Sequence, residues 1–213
     1  MLQGVSGLTF VASSVSPEEA LAAAATSDLG NGFQRVYGEA SPVSSYGGMG
    51  GGEGAASNRF RYMYDVPSSW SSGTVGKIEK AYSGVDTKFK DQRTKSSAYV
   101  ITLAGYTALK SDRRSILDDL SLSDSSLQDS LQSEDIDVSL SEVTAYPDGK
   151  TAQPYVYFDL SSPSEHALAT VTSDGVRLFA LFTRTNPSTF KRDPDTFYSI
   201  QNSLATIPLA EGG

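Results

Sequence analysis

The sequence predicts an α+β domain: an antiparallel sheet of about six strands flanked by helices, carried behind an extended N-terminal arm. Three observations predict it. Phe60, Tyr62, Tyr64 and Val66 alternate with Arg61, Met63 and Asp65, the period of a half-buried strand. Between residues 136 and 183, four strand-like runs follow one another through short joints, the pattern of an antiparallel meander. Pro194 and the helical spacing of Phe197, Ile200, Gln201 and Leu204 then mark a helix that should cover one face of that sheet.

In chain order, residues 1–58 read as the arm, 59–208 as the domain and 209–213 as a short tail, and the domain is expected to fold without the arm. The first 27 residues admit two readings. Leu8 to Ala12 followed by the A-x-A spacing of Ala20 to Ala24 fits the tail of a transfer signal. Ser16 as an N-cap, Pro17 in the first turn, Glu19 three residues after the cap and the alanines beyond fit a retained helix, which is the preferred reading. Glycine occupies six of the eight positions 47–54, a composition that reads as a tether. No Lys-Ser/Thr pair follows it, so it is not a phosphate-binding loop. Phe10, Phe33 and Tyr37 are the arm's candidate anchors on a partner surface.

Pro67 ends the first domain strand, and Trp70, the single tryptophan, should plug one edge of the core. Lys77, Lys80, Lys88, Lys90, Arg93 and Lys95 fall within nineteen residues. Lysines that blunt an edge strand account for them, and a docking patch for an acidic partner is the functional alternative. Residues 97–103 are β-branched and aromatic without charge, and so belong to a central strand. Residues 112–142 hold nine acids against two arginines, a local net of −7 within a chain total of −8. Leu117, Leu120, Leu127 and Leu131 in that stretch point to short helices tucked under the surface. Its carboxylates lack the central glycine of a calcium loop. In the meander, Pro147 to Lys150 form a tight turn, and Asp174-Gly175 suits a hairpin.

The acidic balance argues against nucleic acid as a partner, and no run of eighteen apolar residues exists to span a membrane. The absence of cysteine removes disulfides, thiolate zinc sites and cysteine nucleophiles. His166 is the only histidine. Ser164 and Glu165 stand beside it, but strand neighbours point to opposite faces, which places them poorly for a triad. No catalytic set, metal site or cofactor is assigned.

Three stretches carry a family resemblance. They are Phe60 to Pro67 with Trp70; Tyr82-Ser83-Gly84-Val85-Asp86-Thr87-Lys88-Phe89-Lys90-Asp91; and Ser96 to Leu103. Together with the hairpin from His166 to Phe179 and the closing stretch from Asp193 to Thr206, they resemble the PsbP family of extrinsic photosystem subunits and their lumenal relatives over about residues 59–207. The resemblance implies an α-β-α sandwich and a non-catalytic accessory subunit. Such a subunit docks peripherally on the core subunits of photosystem I or II at the chloroplast thylakoid membrane. It implies the lumen; the N-terminal segment read as retained leaves the stromal side as the alternative. A lumenal assembly factor or small-ligand binder is the second reading. Lys77, Lys80, Lys88 and Lys90 join Phe10, Phe33 and Tyr37 as candidate partner-binding residues.

Overall fold

The computed structural model describes residues 25–40 and 60–208. The Ala-rich segment, Phe10, the Gly-rich stretch and the tail lie outside them. Two antiparallel sheets form. The smaller begins with β1 (Ala25–Asp28), β2 (Phe33–Gly38) and β3 (Tyr62–Pro67). After β4 (Ser71–Ser72) come α1 (Lys77–Ser83), β5 (Val85–Lys90) and β6 (Ser97–Ala104). Helices α2 (Ser115–Ser121) and α3 (Ser125–Leu131) follow. The meander is β7 (Asp137–Ala145), β8 (Gln153–Ser161), β9 (His166–Ser173) and β10 (Arg177–Thr185). Helices α4 (Pro187–Arg192) and α5 (Pro194–Gln201) lead to β11 (Ala205–Thr206). The small sheet has the order β1-β2-β3-β11 and the large one β4-β5-β6-β10-β9-β8-β7.

The inner strands of the large sheet are buried on both faces. Along β10, Leu178, Ala180 and Phe182 face one apolar cluster, while Phe179 and Leu181 face another. The first cluster takes in Ile116, Leu117, Leu120 and Leu127 from α2 and α3. Leu131 is half-buried against it. The second takes in Tyr62, Tyr64 and Val66 of the small sheet and Phe197 and Ile200 of α5. This explains why β6, β9 and β10 read as nearly continuous apolar runs although the sheet is antiparallel.

Trp70 is 6% exposed, with its ring 6.4 Å from that of Phe197, and closes the end of the second cluster as expected. The hairpin at Gly175 adopts φ +85°, and Asp174 Oδ1 accepts from the amides of Val176 and Arg177. This is the positive φ that the Asp-Gly pair predicts.

Three expectations need correction. Residues 33–38 are not a partner-bound arm: β2 pairs with β3 from Phe33↔Pro67 to Gly38↔Tyr62 and sends Val36 into the core. The reason is that a period-two strand finds its most favourable burial on the aromatic β3, across the intervening Gly-rich stretch. The closing helix is also shorter than the sequence indicates. Asn186 caps α4 by accepting from the Thr189 amide, Asp193 makes no side-chain cap, and the chain beyond Gln201 returns as β11 to pair with β3. Finally, residues 77–83, whose Lys77 and Lys80 read as lysines blunting an edge strand, form the helix α1, which ends at Gly84 in the left-handed conformation.

Candidate functional site

Asp86 is the buried acid that ties the two sheets together. Its Oδ2 accepts from Tyr62 Oη at 2.8 Å and from the Ala40 amide at 3.0 Å, and Lys80 Nζ stands 2.6 Å from Oδ1. Thr87 Oγ1 bridges Tyr62 Oη and Tyr64 Oη, each at 3.0 Å. Burial, reinforced by the charge of Asp86, pushes the Tyr62 hydroxyl well above its usual pKa. Burial likewise raises Tyr64. Both stay neutral, as donors to a buried carboxylate network must.

These contacts decide what the lysine patch is. Lys80 is held by Asp86, and Lys88 Nζ lies 3.2 Å from Glu79 Oε1. Lys77 opens α1, and its side chain lies outside what the structure describes. Lys90 ends β5 exposed. The structure therefore brings Lys80 and Lys88 into internal pairs instead of an outward cationic array. Phe33 packs against the second core cluster, and the Tyr37 ring lies 5.5 Å from that of Phe60. Both candidate anchors thus make intramolecular contacts.

A second polar cluster was not anticipated. Arg184 projects from β10 beneath α3, with Nε 2.7 Å from Tyr99 Oη, Nη1 2.7 Å from Glu165 Oε2 and Nη2 3.3 Å from Asp124 Oδ2. Tyr99 Oη donates to the same Asp124 oxygen, and Asp124 Oδ1 caps α3 at the Leu127 amide. Burial disfavours the Arg184 charge, but Tyr99, Asp124 and Glu165 overcome it and raise its pKa. The sequence signal was present: an arginine inside the apolar run from Leu178 to Thr185 needs buried partners. Above this cluster opens a groove of about 640 Å³ between α1, β5 and the α2–α3 turn, with Tyr82 and Leu122 on its rim. A smaller groove of about 410 Å³ lies at the hairpin end of the large sheet, where Arg61 pairs with Asp174.

His166 stacks on Phe190 with ring centroids 3.5 Å apart, and its Nε2 lies 2.9 Å from Asp159 Oδ1. Glu165 is engaged by Arg184 and Ser130, and Ser164 by Ser162. The histidine thus collects one carboxylate and no hydroxyl nucleophile. Among the described residues no three His, Asp or Glu side chains converge on a metal position. Among the same residues no helix is long and apolar enough to cross a membrane.

Fold and surface together define a layered α+β domain, its large sheet covered by α2 and α3 on one face and by the small sheet and α5 on the other, with buried polar ties between the layers and open grooves at its rim. The chain is 33% identical over 176 residues to the thylakoid lumenal 19 kDa protein, chloroplastic, of Arabidopsis thaliana, covering 82% of this chain and 74% of that protein. The chain belongs to the PsbP family. It matches no family model. Among solved structures it is similar to the solution structure of cyanobacterial PsbP (CyanoP) from Synechocystis sp. PCC 6803. That likeness has 18% identity and a TM-score of 0.46, covering 78% of this chain and 100% of that one.

Proposed function

We propose that this chain is a non-catalytic accessory subunit that docks peripherally on a photosynthetic membrane complex from the thylakoid lumen and stabilises its assembly. The observation that carries this reading is the 33% identity, over most of the chain, to a protein named for the thylakoid lumen. The stromal alternative draws no support from that relative. The polar clusters support a structural role: Asp86 and Arg184 are engaged by intramolecular partners, and His166 lacks a nucleophile to activate. The test is fractionation of thylakoids followed by native separation of lumenal-side complexes. Co-migration with a photosystem or its assembly intermediate, lost on a salt wash, is expected. Migration only as a free protein in the soluble lumen would overturn the docking role. The second reading, a small-ligand binder, rests on the groove at Arg61 and Asp174, since the two apolar clusters pack both faces of the large sheet.

A further inference from the structure

The two edges of the large sheet are built differently. At one edge, β4 is two residues long, β5 carries Lys88 and Lys90, and its register with β6 shifts between Val85 and Thr87. Short length, lysine and a bulge are the devices that stop a sheet from pairing with other chains. The other edge, β7, has none of them. It is nine residues long and contains no proline, glycine or lysine. Its register with β8 runs unbroken from Asp137↔Ser161 to Ala145↔Gln153. Among the described residues, β8 is the one strand that pairs with it. Every second residue of such a strand directs its N–H and C=O away from the sheet.

This edge is also apolar where a partner strand would lie. Leu140 is 48% exposed and Val143 49%, and Tyr146 just past the strand is 58% exposed. Leu140 sits beside Phe158, and Val143 beside Tyr155, on opposite faces of the sheet. A further strand would therefore set its alternate side chains beside Leu140 on one face and beside Val143 and Asp137 on the other. At the start of β7, Glu134, Asp135 and Asp137 are exposed and, among the described residues, carry no ion pair, while Glu142 is already bound by Arg113 at 2.9 Å.

We propose that β7 is a strand-addition site, and that its occupant is an extended segment of a partner protein with basic residues alternating with apolar ones. The backbone ladder supplies affinity, Leu140 meets the apolar face of the added strand, and Asp137, on the opposite face with Glu134 and Asp135 just before it, selects for cationic side chains. The same charges disfavour a second copy of this chain, whose net charge is −8. The proposal names a surface for the docking role above, and rests on that role only for which complex contributes the strand.

The test uses the full chain, isotopically labelled, titrated with a short synthetic peptide alternating lysine and valine and with its glutamate–valine counterpart. The lysine peptide is expected to shift β7 amide signals and to slow hydrogen exchange at alternate β7 residues. Its binding should weaken with salt, and by about tenfold in Leu140→Lys/Val143→Lys, whose sites are half exposed and tolerate the change. The glutamate peptide should not bind. If the lysine peptide leaves β7 amides unchanged, or binds the double variant equally well, the proposal is overturned whatever the membrane fractionation shows. If the peptide binds at β7 but the protein never co-migrates with a membrane complex, strand addition stands and the photosystem role falls.

Discussion

Tyr62 Oη donates a 2.8 Å hydrogen bond to Asp86 Oδ2 and so ties β3 of the small sheet to β5 of the large one. Both residues are buried, and the bond is charge-assisted. Asp86 also accepts from the Ala40 amide, and Arg177 donates to the Ala40 carbonyl, which holds that residue at φ +48° where the chain leaves β2. Tyr62→Phe removes one donor and leaves the carboxylate short of a partner. The expected loss is about 1.5–3 kcal/mol in urea denaturation. A loss below about 0.5 kcal/mol would show that Lys80 and Ala40 suffice.

The same tyrosines set an alkaline limit. Tyr62, Tyr64 and Tyr99 all have their pKa raised from the usual 10.0, chiefly by burial. The unfolded chain therefore loses these protons first as pH rises. The folded state keeps more protons, so the stability these groups contribute is complete below pH 10 and declines above it. Each buried tyrosine should steepen the decline by about 1.4 kcal/mol per pH unit. Denaturation midpoints measured from pH 8 to 11 should be flat and then fall, and Tyr62→Phe should make the fall shallower. A midpoint unchanged through pH 11 would contradict the network.

Gly38 lies opposite Tyr62 in the β2–β3 register, and a Cβ added there would overlap the Tyr62 ring. Gly38→Ala must displace that ring from Asp86 or spread the strands. Overpacking of this kind costs about 1–3 kcal/mol. Thermal unfolding checks it, and the cost should shrink in a Tyr62→Ala background, where the collision is absent.

Trp70→Ala removes the ring packed on Phe197 and leaves a cavity at the end of the second cluster. The expected cost is about 3–5 kcal/mol by chemical denaturation. A change under about 1 kcal/mol would mean that the site collapses without loss.

Deleting residues 1–57 removes β1 and β2 together with Val36 and Ala40 from the core, and bares the β3 edge. The truncated chain should melt well below the full chain and aggregate through β3. A truncated chain that melts with the full one would restore the boundary at residue 59 read from the sequence.

The sequence by itself determined the fold class. Alternation in Phe60 to Val66, the Asp174-Gly175 hairpin and the leucines of 117–131 are local patterns, and local patterns report which face of an element is buried. Partnership between distant segments was decided only by tertiary structure. Phe33 meets Pro67 across the Gly-rich stretch, so β2 looks like part of an arm until the pairing is seen. Lys80 and Lys88 look like a cationic patch until α1 folds onto β5 and brings Lys80 to Asp86 and Glu79 to Lys88. Residues 136–143 alternate like any strand, but a period of two does not say whether a strand has one neighbour or two. That β7 ends the sheet with an open edge follows from the order in which the strands assemble, which no local stretch of sequence encodes.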